Sequence, residues 1–195
     1  MMTGLLISIS IYCIIHSILA DSAIMGKVYF KWWYRFFYVV QSVVLLFPVL
    51  YFYQQIPYEP FFQPNLAQKN LLNIIWVSAT AFALYAMRSY DNQSFLGFTQ
   101  LRAKMNGETY KYEKPVLTKK GALSVVRHPY YTAALVLIWS RPLSVKDLYL
   151  NIVLTIYFLL GTINEERKLK KEFGQEYRDY MKEVPALIPF IKLRR

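Results

Sequence analysis

Residues 148–171 read LYLNIVLTIYFLLGTINEERKLKK. No charge falls between Leu148 and Ile163, and then Glu165-Glu166-Arg167-Lys168 and Lys170-Lys171 crowd the turns that follow. A surface helix of a soluble protein spreads polar and apolar residues around its circumference. Here they are separated along the axis instead, which is the pattern of a helix that leaves a bilayer.

The same separation runs outward through the chain. Further apolar blocks stand at Gly4–Ala20, Phe36–Tyr53, Leu71–Met87 and Pro129–Trp139, with the charges gathered between them. The chain has 195 residues, 55% of them hydrophobic, yet carries a formal charge of +11. The block at Pro129–Trp139 is short and closed by Arg141-Pro142. Extended at its start by Leu123–Val126 or not, it suits a hairpin with Leu148–Ile163.

Lys and Arg decide the orientation. If successive gaps alternate across the membrane with the N-terminus outside, 20 basic residues lie in the cytoplasm and 3 outside, as the positive-inside rule requires. The expected fold is therefore all-α: an integral membrane helix bundle of about five transmembrane helices, N-out and C-in. It carries a C-terminal helical hairpin and a cytoplasmic amphipathic tail. The tail pattern is Leu169, Phe173, Tyr177, Tyr180 and Val184, one apolar helical face interrupted at Gly174. The start, MMTGLLISIS, has no basic n-region and reads as a retained first span.

Composition also excludes function classes. A single cysteine, Cys13, rules out a disulfide framework. His16 and His128 lack metal-ligand spacing, so no metal is expected. The basic residues sit at block ends, where anionic lipids meet them, and not on one soluble module, so nucleic acid is not an expected partner. The seven glycines form no GxGxxG fingerprint, which excludes a Rossmann-type site.

Two charged stretches remain at block ends. In VRHPYYTA, residues 126–133, Pro129 suits the first position of a helix and biases His128 toward an extended backbone. The helix mouth offers free N–H groups and a positive dipole end, beside Arg127. Arg127 reads either as an anchor to lipid phosphates or as a ligand-positioning cation, and His128 as a cap or a ligand contact. Glu165 and Glu166 fall where the last span ends. Glu166 has Lys170 at i,i+4, whereas Glu165 has no such partner. A hairpin brings the RHPYY entrance and the Glu pair to one membrane face, where cations and carboxylates could together hold a zwitterion.

These residues resemble a known family. Arg127-His128-Pro129-Tyr130-Tyr131, Glu165-Glu166-Arg167-Lys168-Leu169 and Phe173-Gly174, followed by Tyr177, Tyr180, Val184-Pro185 and Pro189, are similar to the motifs of the isoprenylcysteine carboxyl methyltransferase-like membrane methyltransferases. The match covers roughly residues 115–190. The segment WSRPLSVKDLYLNIVLTIYFLLGTINEER, with His16-Ser17 and Tyr34-Arg35-Phe36-Phe37-Tyr38, is similar to the methanethiol S-methyltransferase and nitric-oxide-associated branch.

The resemblance implies S-adenosylmethionine as cofactor, bound at the cytoplasmic face by His128, Pro129, Tyr130, Tyr131 and Glu165. Val116, Leu117 and Thr118 would lie over it largely through backbone. Arg127 and Glu166 are candidates for positioning substrate or charge; no catalytic base is assigned. Residues 1–110 would form the N-terminal helices and a cytoplasmic loop, and 111–195 the cofactor-binding region. Apart from the resemblance, the lack of signal or retention motifs favours a bacterial plasma membrane.

Three positions depart from the family pattern. Leu123 stands where a tyrosine is frequent, and Ala133 where glycine is usual. Gly161 stands where prenylcysteine-directed members carry an arginine, which favours a small or lipophilic thiol acceptor over a carboxylate. Prenylcysteine-type carboxyl or phospholipid amine methylation, and a non-catalytic membrane protein retaining the fold, are the alternatives.

Overall fold

The structure, a computed structural model, describes residues 1–108 and 116–191. The 110/111 boundary drawn from sequence lies outside the described residues. In chain order the helices are α1 (Met2–Leu19), α2 (Ser22–Met25), α3 (Tyr34–Val44), α4 (Leu46–Gln55), α5 (Leu66–Ala86), α6 (Asn92–Leu96), α7 (Phe98–Met105), α8 (Pro129–Trp139), α9 (Val145–Phe173) and α10 (Gln175–Glu183). Two short strands, β1 (Pro60–Phe62) and β2 (Leu143–Ser144), and single 3₁₀ turns lie between them.

Among the described residues, four helical stretches are long and apolar enough to cross a membrane: Met2–Leu19, Tyr34–Gln55, Leu66–Ser89 and Val145–Phe173. Their outward faces carry large bare side chains such as Ile14, Phe47, Ile74 and Leu160, each about 60% exposed, which only hydrocarbon solvates without cost. Several hydroxyls inside these helices are satisfied locally. Ser8 donates to the Leu5 carbonyl, Thr80 to Trp76 and Thr162 to Phe158, as helices in an apolar medium demand. The fifth block, α8, is 11 residues, about 16 Å long, and too short to span alone.

The chain forms two compact units that interleave in sequence. One comprises Met1–Tyr58 and Asp91–Pro115. In it α1 packs on α4, and Gly4 lets the Phe52 ring nest where a Cβ would come within 2.7 Å. The second apolar block is one span with a turn at Leu45. Pro48, in the first turn of α4, has no N–H to continue the α3 ladder. The two short motifs His16-Ser17 and Tyr34–Tyr38 meet here. The Tyr38 hydroxyl lies 2.6 Å from His16 Nε2, and Ser42 Oγ lies 3.0 Å from Nδ1. His16 is thus a polar residue satisfied within the bundle.

The second unit comprises Glu59–Tyr90 and Val116–Arg195. Its frame is α5 against α8, and α8 antiparallel to α9. Asn65–Gln68 and Ser144–Asp147 form capping boxes that start α5 and α9. Asp147 also accepts from Arg141 at 2.8 Å. β1 pairs antiparallel with β2, and Val145 N–H donates to Glu59 O at 2.8 Å. The chain therefore returns, after α8, to the level at which α5 begins.

Three sequence expectations change in detail. The Leu123–Val126 extension is not helix: Gly121–Ser124 is a separate 3₁₀ turn, and Pro129 starts α8. The span that begins at Val145 does not stop at Ile163 but runs 29 residues to Phe173, where Gly174 at φ +58° ends it. The loop before α5 holds a strand.

Candidate functional site

The α8–α9 hairpin sets the site. Opposed contacts keep a steady antiparallel register: Asn151 Nδ2 donates to Ile138 O at 2.6 Å, Trp139 Nε1 to Thr155 Oγ1 at 2.9 Å, and Tyr131 packs on Phe158 with ring centroids 5.3 Å apart. That register carries Arg127 and His128 to Glu165 and Glu166.

Arg127 and Glu166 form an ion pair through Nε and Nη2 onto one carboxylate oxygen, with side chains only 7% and 6% exposed. Arg127 Nη1 donates to the carbonyls of Val184 and Met181. Two backbone bonds continue the seam: Arg127 N–H to Pro185 O at 2.9 Å and His128 N–H to Ala186 O at 3.0 Å. Thr132 Oγ1 then donates to Leu187 O at 2.7 Å. The tail from Met181 to Leu187 is thereby stitched along the mouth of α8. The Arg127 guanidinium is thus held by Glu166 and by two tail carbonyls.

His128 is buried, its ring stacked on Tyr131 at 5.6 Å and 9°. Nδ1 lies 3.4 Å from Glu165 Oε2, and Nε2 lies 3.4 Å from Glu166 Oε1 without hydrogen-bonding alignment. Burial works against a charged ring, but the two carboxylates outweigh it and hold His128 above its ordinary value. Glu165, by contrast, is 47% exposed, with an oxygen free to face a ligand. Pro129 is buried beneath, and Tyr130 stacks on Tyr90 at 4.9 Å and 22°.

The tail helix closes the other side. Tyr177, Tyr180 and Val184 form a buried cluster on which Leu117, Leu169 and Phe173 pack. Tyr180 donates to Leu123 O at 2.5 Å, fixing the 3₁₀ turn that precedes the RHP segment. Of the three residues expected over the cofactor, only Leu117 is held by this cluster; Val116 and Thr118 are exposed. Lys119 approaches Glu176 at 3.5 Å. Tyr90 and Thr132 are not singled out by sequence reasoning. Tyr90 follows a span in the middle of the chain, and no local pattern links it to Tyr130.

Compared with known proteins, the chain is 28% identical to methanethiol S-methyltransferase 2 of Bradyrhizobium diazoefficiens over 97% of its own length and 74% of the relative. It is 26% identical to the methanethiol S-methyltransferase of Pseudomonas deceptionensis, over 94% and 71%. The enzyme of that name from Mycobacterium tuberculosis is 24% identical over 95% and 77%. The chain is a homologue of the methanethiol S-methyltransferases. By that homology it is a methyltransferase, and the branch resembled by its motifs is borne out over almost the whole chain. No family model matches it, and no solved structure does.

Proposed function

We propose that the protein is an S-adenosylmethionine-dependent methyltransferase of the bacterial inner membrane, acting on a small thiol from a site facing the cytoplasm. The observation that carries this is the mouth of the α8–α9 hairpin. A half-exposed carboxylate, Glu165, stands there beside a stacked His128–Tyr131 pair and the Tyr130 ring, in a chain homologous to methanethiol S-methyltransferases throughout. The 20-to-3 distribution of basic residues supports the orientation. The β1–β2 pairing supports an even number of crossings between them.

The residues fit the cofactor chemically. Glu165 offers an anionic acceptor for its amino or ribose groups, and the tyrosine rings offer faces for a cation. His128, Pro129, Tyr130, Tyr131 and Glu165 would hold it, with Val116–Thr118 contributing backbone. When bound, S-adenosylmethionine supplies a methyl group activated by a positively charged sulfur. The chain's own part is to orient the reactants in line and to exclude water.

Gly161 supports a small acceptor. It lies one turn before Glu165, opposite Tyr131, whose ring atoms would sit 3.7 Å from an added Cβ. The position carries neither a side chain that would press on the ring nor a cation for a carboxylate. An apolar groove of about 460 Å³ along Thr132, Leu135, Val136 and Trp139, walled by Leu72 and Ile75, suits approach of a neutral thiol from hydrocarbon.

Calorimetric titration of S-adenosylmethionine and S-adenosylhomocysteine into detergent-purified protein tests the donor, with Glu165→Ala beside the wild type. Labelled methyl transfer to methanethiol tests the acceptor. Saturable binding that the folded variant loses, with turnover of the thiol, is the expected result. No binding by the folded wild type, repeated in lipid nanodiscs, would sink the reading.

A further inference from the structure

Tyr90 enters neither the sequence motifs nor the roles argued above, yet three features hold it at the site. Its ring stacks on Tyr130 at 4.9 Å and 22°, directly after the first residue of α8. The segment that carries it is docked: Ser89 Oγ accepts from Ala122 N–H at 3.3 Å. Gly121, at φ +63°, admits that hydroxyl where a Cβ would lie 2.8 Å from it. The 3₁₀ turn ahead of RHP and the end of α5 are thus locked together, which fixes the Tyr90 ring against Tyr130.

The surroundings of the ring are electronegative. Burial first, and then the negative charge of Glu165 with the neighbouring phenols of Tyr130, Tyr180 and Tyr177, push the Tyr90 hydroxyl well above its ordinary value. Burial disfavours charge of either sign, but the Glu165 carboxylate that opposes a phenolate favours a cation. The Arg127 guanidinium at the hairpin mouth is compensated by Glu166.

We propose that Tyr90 is a cofactor-contacting residue: with Tyr130 and Glu165 it forms an aromatic and acidic cradle for the positively charged sulfur of the methyl donor. The inference rests on the S-adenosylmethionine reading and deepens it. The cradle prefers the charged donor to the neutral thioether product, so it aids product release as well as binding.

The test is titration of S-adenosylmethionine and S-adenosylhomocysteine into the full chain in nanodiscs, for wild type, Tyr90→Phe and Tyr90→Leu. Tyr90→Phe keeps the ring face and should bind both ligands as the wild type does. Tyr90→Leu should weaken the sulfonium ligand about tenfold and the thioether far less. Equal weakening of both ligands, or of neither, overturns the proposal. Should Tyr90→Leu fail to fold, mono-, di- and trifluorophenylalanine at position 90 keep the shape and withdraw charge from the ring face. Stepwise loss of affinity for the sulfonium alone supports the cradle, and a flat series overturns it. A wild type that binds neither ligand overturns the donor reading itself, whereas normal binding by all variants overturns only the role of Tyr90.

Discussion

Arg127 and Glu166, separated by 39 residues in sequence, share a buried ion pair at the mouth of the α8–α9 hairpin, and the same guanidinium holds the carbonyls of Met181 and Val184. One side chain thus joins three segments: the entrance of α8, the exit of α9 and the tail.

Removing either partner strands a charge in a place that water does not reach. Arg127→Ala should cost about 3–5 kcal/mol, since Glu166 is left buried without its guanidinium, with only the poorly aligned His128 ring nearby. The double variant Arg127→Met with Glu166→Leu should cost clearly less than the sum of the single changes. Arg127→Lys should rescue little, because an ammonium cannot reproduce the planar fork that reaches both the carboxylate and the tail carbonyls. Thermal denaturation in detergent, assembled as a double-mutant cycle, reads all three. Additive effects would show that the pair is not coupled.

His128 gives the protein a pH dependence of defined sign. Its folded value is raised above the ordinary 6.5, so the native state holds the ring proton more tightly than the unfolded chain does. The stabilisation is complete below about pH 6.5 and is lost as pH rises through the raised value. The melting temperature should therefore fall from pH 6.5 into the alkaline range, beyond the slope of a His128→Asn variant. Parallel curves for the two proteins would refute the assignment.

Much of the fold is legible in the sequence because hydropathy along a helix is a local property, and the apolar blocks become helices nearly where they stand. The meeting of RHPYY with the Glu pair is legible too, since adjacent helices joined by a short connection lie antiparallel. The partners within that meeting are not. Local spacing offers Glu166 a lysine one turn on, and burial gives it Arg127 instead. The Pro60–Phe62 strand has three residues and no alternation, so nothing announces its pairing with Leu143–Ser144. The span from Val145 outlasts its apolar stretch because Leu169 and Phe173 bury one face on the Tyr177 cluster, which supports helix through the charged turns. Tyr90 reaches Tyr130 through the packing of α5 on α8 and the docking of Ser89 at Gly121, contacts between remote segments.

The tail seam ends at Thr132, whose hydroxyl lies 2.7 Å from Leu187 O. Thr132→Val preserves the shape and removes the donor. It should destabilise the protein by about 1 kcal/mol and speed proteolysis within Met181–Leu187. Donor affinity should fall with the loosening of the seam. Hydrogen exchange at His128 and Arg127, whose N–H groups bond the same segment, should rise; unchanged exchange would mean that the Thr132 bond carries none of the seam.

Gly161 separates backbone effects from the chemistry of the site. An alanine there meets Tyr131 only at an ordinary 3.7 Å and should stabilise α9 by about 0.5–1 kcal/mol, since glycine is a poor residue for a helix interior. Donor binding should be unchanged. Gly161→Leu should bind S-adenosylhomocysteine like the wild type but lose turnover of methanethiol, because its branches reach past the 3.7 Å at which a Cβ already meets Tyr131. A leucine variant that binds the product and still methylates the thiol at the wild-type rate would remove Gly161 from the acceptor path. Loss of product binding would instead locate the added bulk within the cofactor's own space.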